Sequence, residues 1–522
     1  MSASVQPALA RSRAPGLRTA AILLAGLALG ALQTIAYVHT AWWPLQLLCA
    51  AGLAFMVSRA TPARAAALGW AYGVGWLAAG VWWLFISMHR YGHLPAVLAA
   101  LAVLALAAAL SLYFAAAMAL VARWRSGVWW RDSALFASAW LLAELARTWL
   151  FTGFPWLVSG YAHVDSPLAL LAPWLGVLGI GAVAAWLAAL LSFGWRQPWA
   201  GALALGLLGA AGVVGPTSHT RPGATVDVSL LQTNVPQDEK FVVEQLPATL
   251  AGLADTMRQA RGALVVAPET AIPLLPSQLN ELVPGYMTVL VDHFGQPGRA
   301  ALVGVPLGDY DRGYSNSVVG LTRATAGGPP YRYDKQHLVP FGEFIPLGFR
   351  WFTELMNIPL GDFMRGARNP PSFAFSGERW APNICYEDLY GDELALRFVD
   401  ADTAPSAFVN MSNIGWFGDT IAVDQHLHIS RMRALEFQRP MLRATNTGAT
   451  AVIDHQGRVT AQLAPFTRGV LDAKVQGRSG ITPYAWWAAR WPLWPYAALA
   501  LAVLAACARR SGTASRARVD AP

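Results

Sequence analysis

The sequence predicts a multi-span α-helical membrane domain of about eight transmembrane helices joined to an α/β domain outside the bilayer. Three observations carry this reading. The 522 residues are 55% hydrophobic and only 13% charged, whereas soluble domains carry about a quarter charged residues, and the mean hydropathy is +0.38. Apolar segments of spanning length follow one another from the N-terminus to about residue 215. From 222 to 485 the composition turns ordinary, with acids, lysines and short β-like runs alternating with helical ones.

Seven apolar segments are read in the first part, roughly 18–38, 41–58, 65–88, 94–122, 133–150, 166–194 and 198–215, and an eighth at about 491–508. Each approaches the roughly 20 residues a helix needs to cross a bilayer core. The fifth departs most from an apolar run, with Glu144 and Arg147 near its end. Many of the 23 tryptophans stand near segment ends, as in "AWWP", "VWWLF", "GVWW" and "WPLWPY", where the interfacial aromatic belt lies. The first segment follows Arg11, Arg13 and Arg18 but lacks a small-residue cleavage site, so it reads as an uncleaved anchor.

Arginine placement sets the orientation. Arginines gather in the N-terminal tail and after segments two (Arg59, Arg64), four (Arg123, Arg125, Arg131), six (Arg196) and eight (Arg509, Arg510, Arg516, Arg518). Both termini are therefore expected in the cytoplasm and residues 222–485 on the opposite face. The expected domains are a membrane block over 1–217, the extramembrane domain over 222–485, a last span over 490–510 and a tail over 511–522. The net charge of +8 sits mostly at the edges of apolar blocks, which indicates lipid rather than nucleic acid as the partner.

Within 222–485, "VDVSLLQTNVP", "GALVVAPETAI", "RAALVGVPLGD", "SNSVVGLTRA", "PSFAFSGERWAPNICYE" and "APSAFVNMSN" read as strands bounded by Gly, Pro and Asn. "PATLAGLADTMRQARG" and "TIAVDQHLHISRMRALEFQRP" place apolar residues at helical spacing. "RATNTGATAVIDHQGRVTAQL" reads as a late hairpin. Helices packed outside the sheets are the expected arrangement, and about 260 residues suffice for an independent core.

Three strand ends carry ionisable residues: Glu269 in "VVAPET", Lys335 and Glu343 in "YRYDKQHLVPFGEFIP", and Cys385 and Glu387 in "NICYED". Strand ends can hold side chains rigidly toward one cleft. A thiol needs a cation or base to become a strong nucleophile, and a carboxylate can take its proton and return it. One Glu, one Lys and one Cys thus complete a set for acyl transfer through a thioester. Each residue alone also suits an ordinary role: Glu269 as a helix-start acid, Lys335 as a surface lysine, Cys385 as a small apolar filler. Of three cysteines, Cys49 and Cys507 lie in apolar stretches, so a disulfide to Cys385 is not expected. Neither a zinc spacing nor a phosphate-cradling glycine loop is present in the sequence, and no metal or cofactor is expected.

"VVAPETAIP", "YDKQHLVPFGEFIP" and "ICYED", in this order, resemble the Glu-Lys-Cys motifs of the nitrilase superfamily. Together with the spans, "FTGFPWLVSGYAHVDSPLALLAPWLGVLGIG" and "NMSNIGWFGDT", they resemble the apolipoprotein N-acyltransferase family over nearly the whole chain. The resemblance implies an αββα nitrilase-like sandwich on a membrane platform in the bacterial inner membrane, with the catalytic domain in the periplasm. It implies Glu269 as general base, Lys335 as the oxyanion's partner and Cys385 as nucleophile, with Glu343, Tyr386 and Glu387 supporting. It further implies a phospholipid acyl donor and a diacylglyceryl apolipoprotein acceptor, and a monomer is expected. Phe241 stands where some family members carry tryptophan, which keeps the aromatic face and loses the indole N–H.

Candidates for substrate contact are Phe241, Asn316, Trp351, Phe352, Trp416, His89 and Tyr161, with Arg90 and Arg147 as further headgroup candidates that equally suit interface anchors. "IPLGFRWFTELMNIPLGDFMRG" is expected to form an apolar loop that dips into the outer leaflet, a packed helix being the other reading. Arg431, Arg433, Arg439 and Arg443 read as a solvated or salt-bridged helix face. Two further functions fit parts of the chain. A membrane-tethered amidase would share the first chemical step, and a transporter or receptor would use the outer domain only to bind; transporters place ionisable groups within their spans, and these spans have hardly any.

Overall fold

The computed structural model describes residues 15–194, 197–326, 328–346, 348 and 363–519. The principal helices of the first part are α1 (Pro15–Leu32), α2 (Trp43–Val57), α3 (Pro62–Gly80), α4 (Ala96–Trp124), α5 (Trp129–Trp149), α6 (Ala172–Gly194) and α7 (Pro198–Val213). Thr61 caps α3 by accepting from the Arg64 amide, and Pro62 occupies its first turn, where a missing N–H costs nothing. α1 and α3 pack closely through glycine: a Cβ on Gly30 would lie 1.9 Å from the Tyr72 carbonyl oxygen, and one on Gly75 2.0 Å from that of Leu27. Small residues at such crossings let helix backbones approach in an apolar medium.

Among the described residues, five helical stretches are long and apolar enough to cross a membrane, Thr19–Val38, Thr40–Val57, Ala96–Trp124, Trp129–Thr152 and Pro167–Gly194. A sixth qualifies when Pro62–Gly80 and Leu84–Tyr91, bent by 62°, are taken as one span. The expected third segment is therefore broken, and Pro198–Val213 and Trp494–Arg509 are shorter apolar helices. Of the expected eight or so spans, five or six meet the length, and the apolar helices Pro198–Val213 and Trp494–Arg509 are about 24 Å long at 1.5 Å per residue against a core of about 30 Å.

The described residues of the α/β domain form two six-stranded sheets. One has the order β12-β1-β2-β3-β4-β5 and the other β11-β10-β9-β8-β7-β6. The strands are β1 (Arg221–Gln232), β2 (Leu264–Val266), β3 (Ala300–Asp309), β4 (Gly313–Leu321), β5 (Tyr331–Asp334), β6 (Phe373–Phe375), β7 (Glu378–Ile384), β8 (Ala407–Ser412), β9 (Met441–Thr445), β10 (Ala451–Ile453), β11 (Val459–Gln462) and β12 (Gly469–Ser479). β1, β2 and β3 run parallel, as do β7, β8 and β9, with antiparallel neighbours outside them. The expected late hairpin is the antiparallel run β9–β10–β11.

Val228, Leu230, Val266 and Leu302 of the first sheet meet Trp380, Ile384, Val409 and Leu442 of the second in one apolar layer. Strand alternation sends the opposite faces outward. There α8 (Leu246–Gln259) and α9 (Tyr286–Phe294) cover the first sheet through Leu250, Leu253, Met257, Leu290 and Phe294. α10 (Ala422–Phe437) covers the second through Met432 and Phe437, and the same apolar cluster continues into the membrane helices. The layers are thus helix, sheet, sheet, helix. α11 (Trp494–Val519) closes the described chain.

The helical block meets this domain through one set of its connections. The Val38 carbonyl pairs with His428 at 3.0 Å, the Gly80 carbonyl with Gln425 at 3.0 Å, and Asp165 with Arg431. Arg125 instead donates to the carbonyls of Val57 and Ala60 at 2.9 and 2.8 Å, joining connections at the other end of the helices.

Candidate active site

Parallel strands put their C-terminal ends at one edge, and this edge gathers the three expected residues. Glu269 follows β2, Lys335 directly follows β5 and Cys385 directly follows β7. Lys335 is buried rather than on the surface. Its Nζ lies 2.9 Å from Glu343 Oε1 and 3.4 Å from Glu269 Oε1. Asn316, on β4, donates to the same two oxygens at 2.8 and 2.7 Å. The second Glu269 oxygen accepts from the Asn413 amide at 2.8 Å, and that of Glu343 from the Val339 amide at 2.9 Å. Burial opposes a charge on Lys335, yet the carboxylates of Glu343 and then Glu269 more than offset it and push its pKa up. Lys335 is a fixed cation.

Cys385 is half-buried and takes φ +52°, a left-handed backbone that a residue with a Cβ adopts only when its surroundings hold it. Its carbonyl accepts from Asn410 Nδ2 at 3.1 Å and faces His426 Nε2 at 3.2 Å. Dense surroundings push the thiol's pKa well up, the Glu269 charge pushes it further, and Lys335 pulls it down. At neutral pH the group is therefore a thiol with a carboxylate and an ammonium close enough to act on it. Loss of its proton must accompany attack, which is the situation general-base catalysis serves.

Glu387 ties two strand ends together. It accepts from the Ile384 amide at 2.6 Å and Tyr333 hydroxyl at 2.5 Å, and from the Gln336 and His337 amides at 2.7 and 3.1 Å. One carboxyl thereby fixes the Cys385 turn to the segment carrying Lys335. Burial raises its pKa, opposed by Tyr333, the Ile384 amide and Lys335. Tyr386 is buried, and its hydroxyl donates to the Gly153 carbonyl of the helical block and accepts from Tyr390.

The remaining candidates divide. Asn316 is at the centre. Phe241 and Trp416 are exposed, 54% and 39%, and Tyr91 packs edge-on against Trp416 at 5.5 Å. Arg90 reaches Asp238 at 3.2 Å, near Phe241 in sequence, and exposed His89 donates from Nδ1 to the Leu94 carbonyl. Trp351 and Phe352 lie outside the described residues. Tyr161 and Arg147 are interior rather than headgroup-facing. Tyr161 donates to the Leu389 carbonyl, while Arg147, paired with Glu144 at 3.8 Å, donates to the carbonyls of Phe154 and Leu157. Of the two readings of the arginines, solvated or salt-bridged, the ion pairs of Arg431, Arg433 and Arg443 bear out the second. Arg433, Arg439 and Arg443 are fully buried, because Glu436, backbone carbonyls and Asp388 supply partners.

Sequence reading missed two groups next to Glu269. The Asn413 amide belongs to "NMSNIGWFGD", but a backbone donor leaves no signature in a sequence. Lys240, adjacent to Phe241, is buried and donates to the Glu269 carbonyl at 3.2 Å; burial brings its pKa down to about 8. Among the described residues no group of three or more His, Cys, Asp or Glu is arranged to hold a metal ion.

Two family profiles match consecutive parts of the chain, the apolipoprotein N-acyltransferase N-terminal domain over residues 29–190 and carbon-nitrogen hydrolase over residues 228–484. Apolipoprotein N-acyltransferase of Verminephrobacter eiseniae is 53% identical over 504 residues, covering 90% of this chain and 92% of the relative. That of Ralstonia nicotianae is 46% identical over 464 residues, covering 87% and 88%. That of Bordetella bronchiseptica is 41% identical over 518 residues, covering 91% and 94%. Likeness of this degree along both the membrane helices and the α/β domain leads to one conclusion: the chain belongs to the apolipoprotein N-acyltransferase family.

Proposed function

We propose that this protein transfers an acyl chain from a phospholipid, through a thioester on Cys385, to the N-terminal amine of a diacylglyceryl-cysteine lipoprotein, the last step of lipoprotein maturation. The observation that carries the reading is the Glu269–Lys335–Cys385 constellation at one edge of a sandwich packed on membrane helices. Glu269 accepts the thiol proton as sulfur attacks the ester carbonyl. Lys335 faces the oxyanion; stabilising developing charge is worth typically about 2.7–4 kcal/mol per donor. The ester C–O bond breaks, the lyso-phospholipid alkoxide takes the proton from Glu269, and the thioester remains. The acceptor amine then attacks the thioester, giving its proton to Glu269. The C–S bond breaks, an amide forms, and Cys385 recovers its proton. The ester brings the acyl group already activated, so the exchange calls for no further energy source.

Placement on a platform supports transfer over the amidase alternative, which begins alike and ends with water. We place the domain boundaries at 1–217, 222–485, 490–510 and 511–522, in a bacterial inner membrane with the catalytic domain periplasmic and both termini cytoplasmic. The α/β domain is touched at Val38, the end of the first span, at Gly80, the bend of the third, and at Asp165, after the fifth. α6 therefore ends on the far face, and α7 has to return the chain before β1. This supports eight crossings, with α7 and the apolar part of α11, Trp494–Arg509, as the short ones. Phe241, Trp416 and His89, with the apolar segment holding Trp351 and Phe352, are the proposed substrate contacts, and the enzyme acts as a monomer.

The test uses labelled phospholipid and the purified full chain. Wild type should acquire a hydroxylamine-labile label that Cys385→Ala and Cys385→Ser lack; a labile label persisting on either variant would remove Cys385 from the mechanism.

A further inference from the structure

Behind the proposed nucleophile lies a buried network that the chemistry above does not use. Arg443 Nη2 lies 3.1 Å from His426 Nδ1, and Arg443 Nη1 lies 3.4 Å from Asp388 Oδ2 and 3.2 Å from the His426 carbonyl. Ser430 donates to Asp388 and accepts from Arg443. A guanidinium has donors and no acceptor, so His426 Nδ1 presents its lone pair and the ring proton sits on Nε2. That proton faces two acceptors, Asp388 Oδ1 at 3.0 Å and the Cys385 carbonyl at 3.2 Å. The histidine is therefore oriented on both sides, and it grips the backbone of the residue held at φ +52°.

The preceding residue faces the membrane helices. Gln425 Oε1 accepts from Trp83 Nε1 at 3.1 Å and from Trp156 Nε1 at 2.8 Å, and its amide donates to the Gly80 carbonyl at 3.0 Å. Trp83 and Gly80 form the break where α3 bends, and Trp156 lies in the connection after α5. Trp156 also stacks on the His426 ring, with centroids 5.6 Å apart and planes 25° apart. Trp83, Trp156, Gln425 and His426 are each at least 97% buried. All four side-chain polar groups are satisfied in a dry setting, where such networks define a unique geometry.

We propose that Gln425 and His426 are a positioning pair through which the membrane helices hold the Cys385 backbone in its left-handed conformation. Gln425 fixes the start of α10 to the bend of α3 and to the Trp156 connection. His426 passes that placement to the Cys385 carbonyl, with Asp388 and Arg443 locking its ring. Neither residue touches substrate; both act through Cys385. The pair ties the turn that carries Cys385 to the helices of the membrane block. It rests on the nucleophile reading of Cys385.

The experiment measures thioester formation from labelled phospholipid in nanodiscs, as a function of lipid fraction, for the full chain. His426→Phe should lower the rate constant at saturation by about 10²-fold, the cost of a misplacement of about 1 Å, while the half-saturating lipid fraction stays within about twofold. His426→Gln, which keeps a donor at the Nε2 position, should recover the rate to within about tenfold of wild type. Gln425→Leu leaves His426 intact and carries the test should His426→Phe not fold; it should lose about tenfold at saturation. A wild-type rate in Gln425→Leu or His426→Phe, or His426→Gln as slow as His426→Phe, overturns the pair. Cys385→Ser in the same assay separates the two claims: label surviving there sinks the nucleophile reading, whereas label confined to Cys385 together with a fast His426→Phe sinks only the positioning pair.

Discussion

At the residue scale, the electrostatics of Cys385 make two substitutions diverge. Dense surroundings first, and the Glu269 carboxylate next, raise the thiol's pKa, while Lys335 lowers it. Glu269→Gln removes a raising charge, so alkylation of Cys385 by iodoacetamide should set in at lower pH than in wild type. Lys335→Met removes the lowering charge, so alkylation should set in at higher pH. On the proposed roles both should lose acylation by phospholipid by about 10²-fold or more, Glu269→Gln lacking the proposed base and Lys335→Met the proposed partner of the oxyanion. Shifts in the same direction would mean that the two charges do not straddle the thiol. The triad itself was legible because its members close short strand-end motifs. Lys240, Asn413 and His426 were not. Lys240 meets Glu269 across 29 residues and through a backbone oxygen, Asn413 uses an amide that every residue has, and His426 reaches Cys385 across 41 residues.

At the element scale, the β-runs were readable because they are short, β-rich and bounded by Gly, Pro and Asn, and α8 and α10 because apolar residues recur at helical spacing; β2, β8 and β9 are buried at every position because helices cover the outer faces of both sheets. The bend in α3 was not, since "GVWWLF" is as apolar as the helix around it and composition does not register a change of direction. The catalytic edge depends on a similarly silent feature. Gly304 lies in β3 directly under the Glu269 turn, where a Cβ would meet the Pro268 carbonyl oxygen at 2.3 Å and the Thr270 amide at 2.6 Å. Thr270 already holds φ +49°, so the turn has little freedom to retreat. Gly304→Ala should destabilise the protein by about 1–3 kcal/mol, as overpacking does, and should slow thioester formation because Glu269 is displaced from Lys335 and Asn316. Thermal unfolding in detergent and the phospholipid label check both; a variant with wild-type midpoint and wild-type rate would mean that the turn is not held where Gly304 places it.

At the scale of the whole molecule, the arginine pattern and the contacts of the α/β domain argue for the same orientation from unrelated features. Arginines follow the even-numbered spans, and Arg125 joins two of those connections through the carbonyls of Val57 and Ala60. The α/β domain touches only odd-numbered ones among the contacts described above, through His428, Gln425 and Arg431. Short length made α7 and the apolar part of α11, Trp494–Arg509, hard to count, and on the proposed orientation chain continuity from α6 to β1 has α7 change sides. Labelling in a Cys385→Ser background isolates the question, because Cys49 and Cys507 are buried. Tyr310→Cys, at a position 72% exposed in the α/β domain, should react with a membrane-impermeant maleimide in intact spheroplasts. Ala63→Cys, exposed in the first turn of α3, should react only after lysis. Labelling of both from outside would place the two on one face and remove the crossing assigned to α7. Labelling of Ala63→Cys alone would invert the protein, and the thiol would then face the cytoplasm, away from any lipoprotein displayed on the outer face of that membrane.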